Sequence, residues 1–199
     1  MLKRKSVKIG LMLLCAALLC AGSVMGTMAY FTAQETVTNT FTVGKVVMSM
    51  DESKVSEYGV KDATAQRVAG NAYKLIPGHT YAKDPVLHVE ANSEACWLFV
   101  KVDNQIAGAL ADPSVDSQLI ANHWKRLDGV SNVYYMQQAA VDQDTDVATF
   151  DHFIVKTSIT GDQLNNYQGK NVNVTAYAIQ LDGFENSPAN AWNAVSGAN

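Results

Sequence analysis

Cysteine is scarce in this sequence. Only three occur in 199 residues, and two of them, Cys15 and Cys20, lie in an apolar run near the N-terminus. If that run is removed during secretion, only Cys96 remains, and one cysteine cannot form a disulfide within its own chain. Cys96 lies inside the apolar stretch 95–100, which favours a small buried side chain over a nucleophile or an intermolecular bridge. We therefore predict a domain without disulfides.

The motifs of common hydrolases are missing as well. A zinc peptidase of the usual kind places two histidines four residues apart on a helix, with a glutamate beside the first. The four histidines here are scattered, at His79, His88, His123 and His152, and no Gly-x-Ser-x-Gly elbow occurs. His88 and Glu90 share one face of a predicted strand, which is more typical of a cross-strand polar pair than of metal ligands. We predict no enzyme and no cofactor.

Positive charge is outnumbered by negative charge. The sequence has 15 lysines and arginines against 19 aspartates and glutamates, and its formal net charge is −4. Four of the basic residues stand among the first eight positions, so the chain that follows is more acidic still. Because an acidic surface repels the phosphates of nucleic acids, we predict no nucleic-acid partner.

The N-terminus has the order of features of a secretory signal peptide. Basic residues precede the apolar run 9–21, which is short for a membrane span and is followed by small residues. Thr27 and Ala29 provide the small side chains that a signal peptidase accepts, so Tyr30 is the expected new N-terminus. We predict that residues 1–29 are cleaved, with a permanent anchor as the less favoured alternative. Contact with the membrane is expected only through the uncleaved leader.

Short alternating segments separated by turn residues dominate the rest of the sequence, as is typical of an all-β domain. Alternation in the segment 96–103 places apolar residues on both faces, which predicts a central strand that is covered on both sides. A turn is predicted at Pro77 and Gly78, and a hairpin turn at 92–94. Further strands are predicted at 44–50, 85–90, 124–127, 133–137, 150–158 and 171–181.

About eight strands fit a jelly-roll β-sandwich, which we predict for residues 45–199 as one domain. A few short helices are predicted as connections, starting at Asp112-Pro113, at Thr160 with Gln163 in a capping box, and at Ser187-Pro188. Trp192 is predicted to dock on the domain rather than to bind sugar.

Three aspartates stand at alternate positions, Asp142, Asp144 and Asp146. Alternate carboxylates open the calcium loop of EF-hands. Val147 stands where that loop needs glycine, however, and Phe153 where it needs glutamate. A solvated acidic loop is the favoured interpretation, and a calcium site is the alternative.

Three segments resemble the TasA and camelysin family of secreted matrix proteins from Gram-positive bacteria: GTMAYFT at 26–32, NTFTVG at 39–44 and LIPGHTYAKD at 75–84. The resemblance implies cleavage by a SipW-type signal peptidase, a jelly-roll domain and polymerisation into extracellular fibres of the biofilm matrix. In that scheme the freed N-terminal segment of one subunit pairs as a strand with the sheet of the next. A related minor subunit is a further candidate partner.

The segment 30–44 has the composition of a strand but precedes the predicted domain. Release from the leader frees it to add to an open sheet edge in a neighbouring molecule. Phe31, Phe41 and Val43 share one parity and are predicted to enter the acceptor groove, and Asn39 lies in the same segment. The alternatives are that the segment folds back as the first strand of its own sandwich or frays, and one of these is expected in a free monomer.

These observations predict a secreted structural subunit, located in the extracellular matrix or at the cell surface of a Gram-positive bacterium, whose main partner is a further copy of itself. A surface adhesin or glycan-binding sandwich is the second interpretation. A camelysin-like metallopeptidase is the third.

Overall fold

The structure is a computed structural model that describes the backbone of Thr32–Glu35 and, in full, residues 46–197. The chain divides into two units, Met1–Phe31 and Thr32–Asn199, and all the described residues belong to the second. They are mostly β with a few short helices, which confirms the predicted class. Within this part of the chain no helix is both long and apolar enough to cross a membrane.

Eleven strands and three α-helices are present in the described residues. The strands are β1 (Thr32–Glu35), β2 (Met48–Asp51), β3 (Thr80–Ala82), β4 (Val86–Val89), β5 (Cys96–Asn104), β6 (Leu110–Ala111), β7 (Lys125–Arg126), β8 (Val133–Gln138), β9 (Thr145–Ala148), β10 (His152–Val155) and β11 (Val172–Gln180). The helices are α1 (Val115–Ala121), α2 (Gly161–Asn165) and α3 (Pro188–Ser196), and a 3-10 turn covers Ala107–Ala109.

The first layer is a five-stranded antiparallel sheet in the order β1-β11-β5-β8-β7. Its middle strand, β5, pairs with β11 on one side and with β8 on the other. Leu98 and Val100 on one face of β5 are buried, and so are Trp97 and Phe99 on the other face. The prediction of a central strand that is covered on both sides is confirmed.

The second layer is built from two ladders that join end to end. β3 pairs with β10, and β4 pairs with β9, in one uninterrupted register. Two backbone bonds carry this register across the gap, Lys83 N to Asp151 O (3.0 Å) and Thr149 N to Pro85 O (3.2 Å). β2 pairs beside β4, and β6 pairs beside β10, so these two strands are the edges of the layer.

Pro85 explains why the second layer is interrupted. Proline has no N–H, so it cannot return a hydrogen bond to the Thr149 carbonyl that lies opposite. That carbonyl accepts instead from the side-chain amide of Asn122, at 2.7 Å. Asn122 caps the C-terminus of α1, so the helix is attached to the sheet at the point where the sheet lacks a donor.

The main core lies between the two layers. Val46, Met48 and Met50 alternate along the predicted strand 44–50, and all three are buried. They belong to one cluster of side chains from both layers. The first layer contributes, among others, Cys96, Leu98, Val100, Ala176 and Ala178, and the second contributes Leu87, Val89 and Val147.

Helix α3 covers the outer face of the first layer. Its indole, Trp192, packs against Phe99 and Tyr177, with ring centroids 5.4 and 5.0 Å apart. Ser187 caps the helix by accepting from Asn190 N at 3.3 Å, and a proline follows at the first helical position. The predicted start of this helix and the docking role of Trp192 are both confirmed.

The predicted hairpin at 92–94 is wrong. β4 and β5 lie in different layers, and the chain crosses between them through Asn92, which has a left-handed φ of 65°. The physical reason is that Leu87 of β4 and Leu98 of β5 bury themselves in the same core from opposite layers. Alternation reveals which face of a strand is buried but not whether two strands pair or stack.

One helix start is also corrected. α1 begins at Val115, and its N-cap is Ser114, whose hydroxyl accepts from Ser117 N at 3.1 Å. Asp112 and Pro113 therefore precede the helix and do not start it. At α2 the predicted capping box is confirmed, because Thr160 and Gln163 bond to each other's backbone N–H.

The core between the layers predicts a large effect of truncation. Leu87 is fully buried, whereas Val60 is 65% exposed. We expect Leu87→Ala to lower the free energy of unfolding by about 2–5 kcal/mol, because the removed methyl groups leave a cavity. Val60→Ala, the matched control, should change it by less than about 0.5 kcal/mol. Urea unfolding measures both, and equal effects would contradict this arrangement of the layers.

Candidate functional site at the outer edge of β11

β11 is paired unequally on its two sides. Toward β5 its ladder runs over all nine residues, Val172–Gln180. Toward the outside, β1 pairs antiparallel with Ala176–Ile179 only, with Thr32 opposite Ile179 and Glu35 opposite Ala176. In the described part of the chain, no strand pairs with residues 172–175 on this outer side. An unpaired strand edge is a template for a further strand.

The position of β1 bears on the predicted donor segment. Thr32–Glu35 lies within the segment 30–44 and pairs with the sheet of its own chain, which is the fold-back arrangement expected for a free monomer. The other residues predicted to act in assembly or cleavage lie outside the described residues. They are Thr27, Ala29, Tyr30, Phe31, Asn39, Phe41 and Val43.

Burial along β11 changes where β1 ends. Ala176 and Ala178 point into the core and are fully buried, whereas Val172 and Val174 are only half-buried. On the opposite face Tyr177 is buried and Asn173 is exposed. The first half of β11 is thus less covered than the second half on both of its faces.

A groove lies beside this first half of β11. Its volume is about 860 Å³, and residues 172–175 form one wall. The other walls come from residues 50–52 at the end of β2, from the loop 69–75 and from the segment 164–171, which begins in the last turn of α2. Since β2 is an edge strand of the second layer, the groove opens between the edges of the two layers. An extended segment can add as a strand where a sheet edge is exposed, and residues 172–175 are such an edge beside the groove.

A polar network holds the loop side of the groove in place. Lys83 Nζ lies 2.7 Å from Glu52 Oε2, and both side chains are buried. Asn71 donates through Nδ2 to Glu52 Oε1 at 2.9 Å and to Ser53 O at 2.8 Å. Its Oδ1 accepts from Val55 N at 2.9 Å. Asn71 thereby attaches the loop to the strand end that carries Glu52.

Aromatic rings contribute to the apolar lining of the groove, among them Tyr73 and Phe153. Tyr73 meets Phe153 and Tyr81 edge to face, with centroids 5.2 and 5.8 Å apart. Its hydroxyl donates to Ala82 O at 3.0 Å. Burial raises the pKa of Tyr73 well above its ordinary value, and the charges of Glu52 and Asp84 raise it further. The groove therefore combines aromatic side chains with a polar wall.

The outer face of the second layer carries a charged cluster. His88 on β4 contacts Asp51 on β2 through Nε2 (2.9 Å) and Asp146 on β9 through Nδ1 (2.6 Å). Arg67 also pairs with Asp51. Burial alone lowers the pKa of His88, but the hydrogen bonds and charges of the two aspartates outweigh it and raise the pKa. The imidazolium holds three adjacent strands together.

Two of the three alternate aspartates make contacts with different parts of the chain. Asp146 lies on β9 and faces His88, and Asp144 Oδ1 accepts from Ala91 N at 2.8 Å. Asp142 and Asp144 are exposed loop residues, in agreement with the predicted solvated loop, whereas Asp146 lies in the strand Thr145–Ala148, whose Val147 is buried in the core. Over residues 32–35 and 46–197, no group of three or more His, Cys, Asp or Glu side chains is arranged to hold a metal ion.

The remaining sequence candidates lie apart from one another. Cys96 is fully buried, and burial raises the pKa of its thiol to about 12. Pro77 and Gly78 form a turn, in which Gly78 has a φ of 74° and donates to Val155 O at 3.0 Å. His79 contacts Tyr58 O, and His152 pairs with its neighbour Asp151. The structure does not bring the four histidines together.

The polar wall of the groove is the part of the site that sequence reasoning missed. Glu52, Asn71 and Lys83 are spread over 32 positions and belong to no motif. A sequence signal for them is hard to name, because a lysine and a glutamate in a polar stretch are typical of a solvated surface. Only the tertiary contact shows that both are buried.

The His88 cluster predicts a specific dependence of stability on pH. The pKa of His88 in the folded state lies above the ordinary 6.5. Protonation of His88 therefore contributes its full stabilisation below about pH 6.5, and this contribution is lost as the pH rises through the folded-state pKa. We expect the difference in unfolding free energy between the native chain and His88→Gln to be largest near about pH 6 and to shrink toward about pH 9. Asp146→Asn should reduce this pH dependence, because it removes one of the two carboxylates that contact His88. A difference in unfolding free energy between the native chain and His88→Gln that grows with pH would contradict the prediction.

Comparison of this chain with protein-family models, with curated proteins and with solved structures finds no match.

Proposed function

We propose that this protein is a secreted structural subunit that polymerises into extracellular fibres by exchanging its N-terminal strand. The observation that supports this most directly is the position of β1, which is added at a sheet edge and covers only Ala176–Ile179 of β11. Backbone hydrogen bonds hold a strand that is bound in this way. The same segment from another copy of the chain can make the same hydrogen bonds at this edge.

The chain has the reach that such an exchange needs. Ten residues separate Glu35 from Val46, and an extended chain of that length spans up to about 35 Å. The donor strand of one subunit can therefore leave its own sheet and occupy the edge of a neighbour. Residues 172–175 and the groove beside them offer room for the part of the segment that follows β1.

The opposite edges of the layers are poor sites for strand addition. β7 has only two residues, Lys125 and Arg126, and both are charged and exposed. β6 also has two residues. Short, charged edge strands are a common protection against unwanted pairing. Addition at β11 alone is directional, and a head-to-tail contact of that kind produces an open filament when the rotation between subunits does not close into a ring.

The remaining parts of the proposal come from the leader and the fold. Residues 1–29 act as a signal peptide that a SipW-type peptidase removes, so that the subunit reaches the matrix or the cell surface of a Gram-positive bacterium. The domain is a jelly-roll sandwich. Two antiparallel layers around one core support this topology, as do connections that cross between the layers. The main partner is a second copy of the chain, with a related minor subunit as a further candidate.

Cysteine pairs test strand exchange directly. Ala33 lies opposite Ala178 in the β1–β11 ladder. We expect a mixture of two single variants, Ala33→Cys and Ala178→Cys, to form a disulfide-linked heterodimer under mild oxidation. The bond forms only if β1 of one molecule occupies β11 of another. Non-reducing electrophoresis and peptide mass spectrometry of the processed chains would detect the link.

The matched control combines Ala33→Cys with Ala148→Cys. Ala148 is exposed on β9 of the other layer, and a disulfide needs Cα atoms closer than about 7 Å. This control mixture should give no heterodimer. If the first mixture also gives none, while the double variant Ala33→Cys/Ala178→Cys closes within one chain, the strand stays in its own subunit and the proposal is wrong.

A further inference from the structure

Lys83 and Glu52 form a salt bridge that is unusually well buried for this protein. Their side chains are 10% and 4% exposed, and Nζ lies 2.7 Å from Oε2. Removing two charges from water is expensive, and their mutual attraction does not always compensate for it. The proposed strand exchange makes no use of this pair, although both residues line the groove.

The second oxygen of Glu52 holds a carboxamide. Asn71 Nδ2 donates to Glu52 Oε1 at 2.9 Å, and also to Ser53 O at 2.8 Å. The carbonyl oxygen of the same amide, Oδ1, accepts from Val55 N at 2.9 Å. The carboxylate of Glu52 thus contacts both the amine nitrogen of Lys83 and the amide nitrogen of Asn71. The backbone N–H of Val55 polarises the amide carbonyl of Asn71.

The surroundings favour chemistry between these groups. Tyr73 lines the groove and packs against Phe153 and Tyr81. Its hydroxyl is bound to Ala82 O, beside Lys83. Glu52 and Lys83 are buried, and between buried groups electrostatic interactions are strong and preorganised donors are effective. The amine of Lys83 can act as a nucleophile, and the amide carbon of Asn71 can act as its electrophile. The carboxylate of Glu52 is an acid–base group, and the N–H that donates to the amide oxygen is an oxyanion donor.

We propose that Lys83 and Asn71 form an intramolecular isopeptide bond, with Glu52 as the group that transfers protons. Glu52 accepts a proton from the Lys83 ammonium group, and the neutral amine attacks Cγ of Asn71. The N–H of Val55 stabilises the negative charge that develops on Oδ1. The bond from Cγ to Nδ2 then breaks as Glu52 donates a proton to the departing nitrogen.

The products balance without any oxidant or other reactant. The new bond joins Nζ of Lys83 to Cγ of Asn71, and ammonia leaves. The amine gives up a second proton on forming the amide, and Glu52 retains it. An ion pair beside a neutral amide is thereby converted into an amide beside a neutral carboxylic acid, so no buried charge remains. The bond ties the loop 69–75 to the segment between β3 and β4.

Intact mass of the full chain tests this proposal. Loss of one ammonia makes the native protein lighter by about 17 Da than its sequence predicts. Lys83→Arg and Glu52→Gln should each show the full mass of their sequences. Lys61→Arg is the matched control, because Lys61 pairs with Asp84 nearby but is 48% exposed. It should show the same loss as the native chain.

Tryptic peptides locate the bond. Trypsin should release a branched species in which the peptide 68–74 is joined to the peptide 75–101, because acylated Lys83 is no longer cleaved. A cyclic imide at an asparagine also loses ammonia, but it opens in mild alkali and does not depend on Lys83. A native chain of full mass that releases separate peptides 68–74 and 75–83 would overturn the proposal. So would a loss of ammonia that persists in Lys83→Arg or Glu52→Gln.

Discussion

The ladder between β5 and β11 is the interaction on which the rest of the structure depends. It runs over nine residue pairs without a break, and it places apolar side chains of both strands on both faces of the first layer. One face packs on the second layer and the other on α3. β5 is paired on both sides, with β11 and with β8. β11 is paired along its full length only with β5, so its outer edge is the incompletely paired side of this ladder.

That edge connects the fold to the proposed function. β1 covers part of it, and the half-buried valines 172 and 174 lie where β1 ends. Beside them, the buried Glu52–Lys83 pair and Asn71 attach the loop wall of the groove to the second layer. A rigid wall suits a site that receives a strand, since the acceptor then needs little ordering when the strand arrives. The two proposals concern the same groove but rest on different contacts, so either can fail alone.

Much of the fold was predictable from the sequence because alternation reports burial. The apolar face of β2, the two-sided burial of β5, the start of α3 and the docking of Trp192 all follow from residue patterns, and the structure bears them out. Pairing was less predictable. β4 and β5 both alternate clearly, yet they stack in different layers, since a buried face is compatible with either arrangement.

The strands β3, β6 and β9 have two to four residues each, too few to show a period. The polar wall of the groove was not predictable at all, because Glu52, Asn71 and Lys83 meet only through tertiary folding. The strand-exchange proposal started from the resemblance and from the strand-like composition of the segment 30–44, whereas the proposal that the acceptor edge lies on β11 needed the structure.

Electron microscopy of the processed chain, with and without residues 30–44, tests the central claim most directly. The account predicts filaments from the complete processed chain and dispersed particles from the shortened one, whose edge on β11 is intact but has no strand to receive. Filaments from both chains would show that assembly does not use this segment. Dispersed particles from both would show that β1 serves only its own subunit.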